Sequence, residues 1–418
     1  MSTPSLNADI TLIGGGVAGL WTQRLLEQSG YSTLLVDKNA LGSGQTLASQ
    51  GMIHGGQRYS LLGHLTEHTK KIAAMPGQWD SCLENRSFPH LKGVASLSQK
   101  QHLWSPGGLL SNAASFFASK ALQNQARLLK ESEWPSVFKA NHSFSGKVYE
   151  LSERVIDVSS LVSFCHAQNK AQTLKGYPVD FQQEKNSISS LVVQTEQGQV
   201  NLKSHGFLFT AGLGNEWATQ KFLDFFKRAG ISRKETNGES APFCQRRPLR
   251  QVVVKEVAHS LYGHCITADP RPRITITTHP GAVWYLGGLV ANYGTEHTEK
   301  EALSYAYKEL YELFPHINWK QCEFGSILVD RAEPFTRAQL LPEDPEILSV
   351  NTVGIGWPCK MTFAPLFGSL ALEWAMQRVS NKSRFAKIET PTELQAAVGM
   401  APWLASVSWK KPAEFGVR

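Results

Sequence analysis

The N-terminal stretch "DITLIGGGVAGL" (residues 9–20) limits the fold more than any other feature of the chain. "DITLIGGG" is typical of a short buried strand, and "VAGLWTQRLLEQSG" is typical of a helix that ends at Gly30. The following "STLLVDK" is typical of a second strand. A strand, a helix and a strand in this order predict a βαβ unit at the N-terminus.

Three glycines and one acid in this unit follow the pattern of a dinucleotide-binding turn. Gly14, Gly16 and Gly19 form G-x-G-x-x-G between the predicted strand and helix, and Asp37 closes the second strand. The first glycine allows a tight turn, the second lets a pyrophosphate approach the backbone, and the third lets helix and strand pack closely. Phosphate is favoured at the helix N-terminus, and the acid can accept a hydrogen bond from a ribose hydroxyl. The motif predicts a dinucleotide but does not separate FAD from NAD.

Length and composition indicate a compact protein of two domains. The chain has 418 residues, of which 42% are hydrophobic and 18% are charged, and its formal net charge is +7. No apolar run approaches the length of a membrane span, and no basic segment of a secretory signal precedes the first strand, so we expect a cytoplasmic protein. The six cysteines are scattered without a C-x-x-C pair, so neither a zinc site nor a disulfide framework is indicated.

The rest of the chain alternates between predicted cofactor-domain elements and a strand-rich insertion. Residues 147–168 predict strands followed by a helix, residues 177–214 predict a β-meander, and residues 246–290 are rich in strands. An amphipathic helix follows, with Thr298 as its N-cap and Pro315 just past its end. We expect a discontinuous cofactor domain of residues 1–85, 150–240 and 340–418, and a substrate domain of residues 86–149 and 241–339.

Three separated segments resemble one family. They are "IGGGVAGLWTQRLLEQSGYSTLLVDK" with the following "GSGQTLASQGMIHGGQRY", the middle strand "GFLFTAGLGNEW", and the glycine turn "GIGWPCKMTFAPLFG". The chain resembles the D-amino-acid oxidase/glycine oxidase superfamily of FAD oxidoreductases, which also contains glycerol-3-phosphate and 2-hydroxyglutarate dehydrogenases. The resemblance implies an α/β fold with a Rossmann-like FAD-binding domain of the glutathione-reductase type. It also implies a discontinuous substrate domain built on a mixed, mostly antiparallel β-sheet with helices.

The resemblance assigns further residues to FAD. Besides the glycine motif and Asp37, they are Lys38, Thr46, Ser49, Gln50, Gly51, Met52, Val179, Ala211, Gly212, Gly356, Lys360, Met361 and Thr362. In the family, the loop after the acid wraps the pyrophosphate and the flavin, and the residue at position 179 reads adenine through its backbone. A helix beginning near Ala364-Pro365 would direct its positive end at the flavin. The segment "WPCK" departs from the family pattern, which leaves Lys360 either beside the flavin or on the loop surface.

Covalent attachment of the flavin is a separate question. Some relatives use a cysteine in the strand that precedes the C-terminal turn. Cys322 lies in that region of the sequence, but Arg331 aligns more closely with the attachment position. We therefore expect non-covalent FAD.

Arginines are the candidates for substrate binding, because a guanidinium can hold a carboxylate through two hydrogen bonds. Arg331 in "LVDRAEPFTR" resembles the family's arginine segment, Arg58 lies in the loop after the first unit, and Arg337 is a third candidate. The alternative interpretation of Arg331 is a salt bridge with Asp330 or Glu333 at the domain surface.

The segment "IHGGQRY" resembles the corresponding loops of glycerol-3-phosphate and 2-hydroxyglutarate dehydrogenases. This resemblance makes His54 a candidate base for a hydroxyl proton, Arg58 an anion-binding group, and Tyr59 a packing or hydrogen-bonding partner. The alternative is that His54 only orders the loop. Tyr285 and His279, from the strand-rich domain, are candidates for lining the substrate pocket or for its core.

Three functions follow from these residues. The first is FAD-dependent oxidation of a small anionic substrate, namely a 2-hydroxy acid, a polyol phosphate or an amino acid, by hydride transfer to flavin N5. The second is oxidation of a secondary amine in a macromolecule such as modified tRNA, although no clustered arginine and aromatic stripe supports binding of nucleic acid. The third is a non-catalytic flavin-binding protein. The sequence does not distinguish oxygen, a quinone or another protein as the electron acceptor.

Overall fold

The predicted βαβ unit is present at the N-terminus of the computed structural model. Strand β1 (Ser5–Ile13) leads into helix α1 (Val17–Gln28), and strand β2 (Thr33–Asp37) returns parallel to β1. Gly30 has a φ of +88°, a conformation that glycine adopts without strain, and it turns the chain after α1. The structure describes residues 4–56, 67–107, 126–185, 187–234, 238–267, 269, 271–337, 340–379 and 388–417.

The other elements follow in chain order. The further strands are β3 (Ser96–Ser98), β4 (Gln101–Ser105), β5 (Ala126–Leu128), β6 (Lys147–Leu151), β7 (Val155–Ile156), β8 (Thr173–Lys175), β9 (Tyr177–Glu184), β10 (Ser187–Thr195), β11 (Gly198–Phe209), β12 (Arg233–Lys234), β13 (Ser240–Ala241), β14 (Cys244–Lys255), β15 (Gly263–Cys265), β16 (Ile274–His279), β17 (Val283–Gly287), β18 (Glu323–Pro334), β19 (Glu346–Val350) and β20 (Val353–Trp357). The further helices are α2 (Glu67–Leu83), α3 (Ser136–Lys139), α4 (Val158–Asn169), α5 (Asn215–Lys221), α6 (Leu223–Arg228), α7 (Leu289–Glu296), α8 (Glu299–Leu313), α9 (Ala364–Met376) and α10 (Pro402–Ala405).

The first large sheet carries the glycine turn. Its central order is β19-β20-β11-β1-β2-β8, and β10 and β9 extend it antiparallel from β11. The neighbours β20, β11, β1, β2 and β8 run parallel to one another, so their carboxyl ends lie at one edge. The turns after β1, β2, β11 and β20 therefore meet there, which is where open α/β sheets bind ligands.

The second large sheet has the order β18-β14-β17-β16-β15-β4-β6-β5. Its pairs are antiparallel except for β15 with β4, which confirms the predicted mixed, mostly antiparallel sheet. Because successive side chains of a strand point to opposite faces, each strand has one set of residues on each side. Val252, Val254 and Trp284 pack under α8, whose N-cap is Thr298 as predicted.

The opposite face of the second sheet meets the first domain. Val253, Tyr285 and Ile327 form one cluster with Ala48, which belongs to the loop that follows β2. The alternation of the strands places every second residue of β14, β16, β17 and β18 on this face, called here the loop-facing side. The proposed substrate site depends on this placement.

The C-terminal residues contact the second sheet. Trp403 packs in the cluster with Tyr285, Phe415 lies in the core under α8, and Lys410 forms a bridge with Phe324 of β18. The boundary that gives all of residues 340–418 to the cofactor domain remains a proposal. The packing of residues 402–417 favours assigning that segment to the substrate domain instead.

Candidate cofactor and substrate site

The glycine turn after β1 is closed against the neighbouring strand end. Gly14 has a φ of +111° and donates its N–H to the carbonyl of Val36 at 2.7 Å. A Cβ at Gly14 would collide with the backbone of Ala211, and a Cβ at Gly19 would collide with the carbonyl oxygen of Gly14. At Gly16 the nearest atom to such a Cβ would be the Thr46 hydroxyl, at 3.0 Å. The backbone at Gly14 and Gly19 thus leaves no room for a side chain.

Asp37 at the end of β2 is held by backbone N–H groups. Its carboxylate accepts from Gly15 at 2.5 Å and from Asn39 at 2.7 Å. Burial raises the pKa of Asp37, and the two backbone donors partly oppose this increase. Its position at the end of the second strand is the one that the ribose of a dinucleotide requires.

The adenine side of the predicted site lies next to Asp37. Gly176 donates its N–H to the carbonyl of Asp37 at 2.8 Å, and the Lys38 ammonium lies 5.2 Å from the ring centre of Tyr177. The ladder between β9 and β10 is irregular at Val179, which has no partner in the register. The backbone N–H and carbonyl of a residue outside the ladder remain able to form hydrogen bonds with other groups.

The loop after β2 is tied to both domains. The Thr46 hydroxyl accepts the N–H of Val17 at the start of α1, at 2.9 Å. The carbonyl of Ala48 accepts from the Tyr285 hydroxyl at 2.7 Å, and the Gln50 amide donates to the carbonyl of Tyr285 at 2.7 Å. The loop from Thr46 to Gln50 is therefore fixed on one side by α1 and on the other by β17.

The end of this loop pairs with β7. The N–H of Ile156 donates to the carbonyl of Gly51 at 2.8 Å, and Met52 forms an antiparallel bridge with Val155. Gly51 has a φ of +72°, and a Cβ there would collide with the carbonyl of Ile156. This position needs glycine for both its conformation and its space.

Asn215 joins two of the turns, and it was not among the residues that the sequence predicted for the site. Its side-chain oxygen accepts the N–H of Ala211 at 2.9 Å, and its amide donates to the carbonyl of Gly356 at 3.0 Å. Asn215 is fully buried. Gly212 has a φ of +57°, and the Gln45 amide lies 3.5 Å from where its Cβ would be. The only signal was the position of Asn215 just after the quoted Ala-Gly turn.

The C-terminal turn leads into α9 as predicted. A short 3-10 helix, Met361–Phe363, continues into α9, which has proline in its first turn. The carbonyl of Thr362 accepts from the indole of Trp79 at 3.0 Å, and the Met361 sulfur lies 3.7 Å from the Ser49 hydroxyl. The Lys360 ammonium lies 5.4 Å from the ring centre of Phe363, beside this turn.

His54 lies on the same side of the site, next to a buried acid. The N–H of His54 is 3.4 Å from the Thr362 hydroxyl, and the N–H of Gly55 donates to Glu153 at 2.6 Å. Gln101 donates to the carbonyl of Ile53 at 2.9 Å, so buried side chains fix both neighbours of His54. Glu153 and Gln101 were not among the predicted residues. Arg58 and Tyr59, which were, lie outside the described residues.

Arg331 lies on the loop-facing side of the second sheet. It follows Ile327 and Val329 on alternate positions of β18, and the end of β18 contacts both β20 and the turn after Ala211. Its guanidinium donates to the carbonyl of Arg247 at 3.1 Å and is half-buried. Burial, together with the positive charge of Arg247, lowers the pKa of Arg331 to about 10, and the negative charge of Glu333 partly opposes this decrease.

Neither acid proposed as a salt-bridge partner of Arg331 plays that role within the described residues. Glu333 accepts two hydrogen bonds from Arg247, at 2.5 and 2.9 Å, and Asp330 lies 3.5 Å from Arg246. Arg331 is thus a half-buried cation without a carboxylate partner among the residues that the structure describes. Arg247 was not among the residues that the sequence predicted for the site. Arg337, the third candidate arginine, is exposed.

Tyr285 and His279 are both buried on the loop-facing side. Tyr285 is fully buried with its hydroxyl on Ala48, and burial raises its pKa. His279 lies 3.0 Å from the Thr277 hydroxyl and packs against Trp403, and burial lowers its pKa to about 4. Tyr285 holds the loop after β2 directly, and His279 packs against the Tyr285 ring at 5.6 Å between ring centres. Support of the loop is therefore the role that the geometry favours, directly for Tyr285 and through Tyr285 for His279.

Cys322 does not reach this site. Its side chain lies in the core under α8, on the face of the second sheet opposite to Arg331. This placement is consistent with non-covalent FAD, which stays a prediction.

Together these features define a class of protein. A glycine turn with its acid, an unpaired Val179, a bridged pair of strand-end turns and a helix N-terminus at Ala364 surround one edge of a parallel sheet. The glycine turn and its acid match the needs of a pyrophosphate and a ribose, and the assignment of the other residues to adenine and flavin stays a prediction. The fold is that of a Rossmann-type dinucleotide-binding protein with a second, mostly antiparallel sheet.

Comparison with known proteins gives the family. The DAO family model, described as FAD dependent oxidoreductase, matches residues 9–337, and the chain belongs to this family. The chain is 37% identical over 369 residues to the probable FAD-dependent oxidoreductase PA4991 of Pseudomonas aeruginosa, covering 87% of this chain and 89% of that protein. The protein is therefore an FAD-dependent oxidoreductase, and FAD is its cofactor.

Solved structures agree with the fold. The crystal structure of PA4991 superposes with a TM-score of 0.78 at 30% identity, covering 97% of this chain and 99% of that one. Glycine oxidase from Geobacillus kaustophilus gives a TM-score of 0.59 at 16% identity, covering 94% and 100%. Glycerol-3-phosphate dehydrogenase from Bacillus halodurans, solved with FAD, gives 0.52 at 16% identity, covering 91% and 66%. None of the helices that the structure describes combines the length and apolar character needed to cross a membrane.

Proposed function

We propose that the protein oxidises a small anionic substrate, a 2-hydroxy acid, polyol phosphate or amino acid, with Arg331 as the group that binds the anion. One observation carries this proposal. Arg331 is half-buried on the loop-facing side of the second sheet, and no carboxylate of the described residues pairs with it. Its guanidinium is hydrogen-bonded to the backbone carbonyls of Arg247 and Pro248, so its charge is left for an anionic ligand.

The residues around the site divide the chemistry between them. Arg331 holds the anionic group through charge-assisted hydrogen bonds and so orients the carbon to be oxidised. FAD, when bound, would supply the hydride acceptor for that carbon. His54 accepts the proton of the substrate hydroxyl or amine, so that a C=O or C=N bond forms as the hydride leaves. The contacts of Ile53 and Gly55 with Gln101 and Glu153 hold the His54 segment in place.

An anaerobic screen of the purified holoenzyme tests this function. Hydroxy acids, amino acids and polyol phosphates are added without oxygen, and bleaching of the flavin absorption reports reduction. We expect bleaching by at least one member of these classes. Absence of bleaching by every compound, combined with salt-sensitive retention of tRNA, would favour oxidation of a macromolecular amine instead.

Replacement of Arg331 tests the anion-binding role. Arg331→Met should raise the substrate dissociation constant by about 10- to 100-fold, the loss expected for charge-assisted hydrogen bonds. Arg271→Met is the matched control, because Arg271 is exposed and pairs with Asp269 on the surface. The role is excluded if the two variants bind substrate equally well.

Replacement of His54 tests the base. His54→Gln should slow flavin reduction by about 10²- to 10⁴-fold, the usual contribution of general-base catalysis. An unchanged rate of reduction would leave His54 with the role of ordering the loop.

A further inference from the structure

Two arginines face each other across the strand pair at the proposed anion site. The register places Arg247 of β14 directly opposite Arg331 of β18. Like charges in this position repel one another, and the repulsion needs a compensating negative charge. Glu333, two residues after Arg331 and on the same face, supplies one negative charge to this group.

The pair of Arg247 and Glu333 is geometrically fixed. Two parallel hydrogen bonds join the guanidinium to the carboxylate, at 2.5 and 2.9 Å. The Glu333 side chain is 2% exposed and that of Arg247 is 22% exposed. The Gln245 amide lies 3.3 Å from the same carboxylate. Burial and these contacts keep the two charges together, unlike the mobile pairs of an exposed surface.

Arg246, the residue before Arg247, lies on the other face of the sheet and has a different acid as its partner. Arg246 points to the opposite side of the sheet, where it forms two hydrogen bonds with Glu216. The Arg246 side chain is 51% exposed. Replacing Glu216 by a neutral residue therefore changes the net charge of the protein by the same amount as replacing Glu333, but on the face of the sheet opposite to the loop-facing side.

The three residues Arg247, Arg331 and Glu333, called here the arginine–glutamate cluster, have a net charge of +1. Glu333 neutralises Arg247, so the charge of Arg331 is the one left for a ligand. Nearby Cys359 stays a neutral thiol, because burial and the negative charge of Glu333 raise its pKa to about 12. In a half-buried site, a net charge of +1 balances one negative charge on a ligand and leaves a second negative charge unbalanced.

We infer that the Arg247–Glu333 pair sets the charge selectivity of the anion site, so that the site accepts monoanionic carboxylates and discriminates against dianions. This inference rests on the proposed role of Arg331. It narrows the substrate class to 2-hydroxy or amino acids with one carboxylate. Polyol phosphates are disfavoured because a phosphate monoester carries a charge close to −2 at neutral pH.

The test compares two acids of similar size that the enzyme does not oxidise, propionate with one charge and malonate with two. Each is titrated into the holoenzyme, and the flavin absorption spectrum reports binding. The wild-type protein should bind propionate more tightly than malonate. Glu333→Gln, which raises the charge of the arginine–glutamate cluster to +2, should move the affinity ratio toward malonate by roughly tenfold or more.

Two further variants separate charge from structure. The double variant Arg247→Gln/Glu333→Gln restores a charge of +1 and should restore the wild-type ratio. Glu216→Gln removes the same charge on the opposite face and should leave the ratio unchanged. If the pair were only structural, the double variant would resemble Glu333→Gln, and that result would overturn the inference.

The outcomes also distinguish this inference from the proposed function. If Arg331→Met abolishes the binding of both acids but Glu333→Gln leaves their ratio unchanged, the role of Arg331 stands and the selectivity role fails. If Arg331→Met binds both acids as the wild type does, both proposals fail. If the Glu333→Gln variant does not fold, the affinities of the wild-type protein for the two acids are the test. Malonate binding as tightly as propionate would overturn the inference.

Discussion

At the scale of single residues, polar side chains of the second sheet act mainly on the backbone of the loop after β2. Tyr285 donates to the carbonyl of Ala48, and Gln50 donates to the carbonyl of Tyr285. Buried carbonyl groups need such donors, because an unsatisfied one costs about as much as a lost hydrogen bond. The sequence left Tyr285 and His279 as candidates for the pocket or for the core. Both are buried, and Tyr285 contacts the loop directly, while a role of either residue in the substrate pocket stays a prediction.

His279 leads to a prediction about pH. Its pKa is lowered from 6.5 to about 4 by burial, so the unfolded chain binds more protons than the folded chain between these values. The free energy of unfolding is therefore not reduced by His279 above about pH 6.5. As the pH falls toward 4, protonation of His279 in the unfolded chain lowers the free energy of unfolding by about 3 kcal/mol. Denaturant unfolding at several pH values should show a shallower acid decline for His279→Gln than for the wild type.

Exposed His142 supplies the control for this measurement. His142→Gln should keep the acid decline of the wild-type protein, because no burial penalty is removed. Equal slopes for the His279→Gln and wild-type proteins would show that His279 does not contribute to the decline.

At the scale of elements, the contact between α1 and β1 depends on one missing side chain. Gly19→Ala places a Cβ against the carbonyl oxygen of Gly14, and backbone cannot give way as a flexible side chain can. We expect α1 to move away from the glycine turn, with FAD affinity lowered at least about tenfold and the free energy of unfolding lowered by about 1–3 kcal/mol. Fluorescence titration of the apoprotein with FAD and denaturant unfolding measure the two effects.

Gly77 is the matched control, because it also lies in a helix but nothing stands within 4 Å of its added Cβ. Gly77→Ala should be neutral or stabilising by about 0.5–1 kcal/mol, as expected for alanine in a helix. A similar loss of FAD affinity in both variants would mean that helix composition, rather than the close approach at Gly19, controls binding.

Local elements were the part of the fold that the sequence predicted well. The βαβ unit, the N-cap of α8 at Thr298 and the start of α9 at Ala364 each depend on residues a few positions apart. The pairing of Arg247 with Glu333 and the bridge made by Asn215 join residues far apart in the chain. Such contacts depend on the register and order of strands, which periodicity within one segment does not encode.

At the scale of the whole molecule, the C-terminal segment connects the two sheets. Leu41, which follows β2, donates to the carbonyl of Ala397 at 2.7 Å, and the N–H of Gly399 donates back to Leu41 at 2.9 Å. Further along, Lys410 exchanges two backbone hydrogen bonds with Phe324 of β18. One segment thus spans from the cofactor loop to the edge strand of the second sheet, beyond the residues that the family model matches.

Trp403 is the side chain through which this connection should influence the flavin site. It is 8% exposed, and its ring centre lies 4.6 Å from that of His279 and 5.6 Å from that of Tyr285. Trp403→Ala should lower the free energy of unfolding by about 3–5 kcal/mol through loss of buried contacts. Because Tyr285 holds the loop at Ala48, FAD should also be released at a lower temperature, as measured by the rise of flavin fluorescence on heating.

Leu404→Ala is the control, because this side chain is 72% exposed. It should change the free energy of unfolding by no more than about 0.5 kcal/mol and should leave the temperature of flavin release unchanged. If Trp403→Ala destabilised the chain while flavin release kept its wild-type temperature, the C-terminal segment would stabilise the second sheet without acting on the cofactor loop.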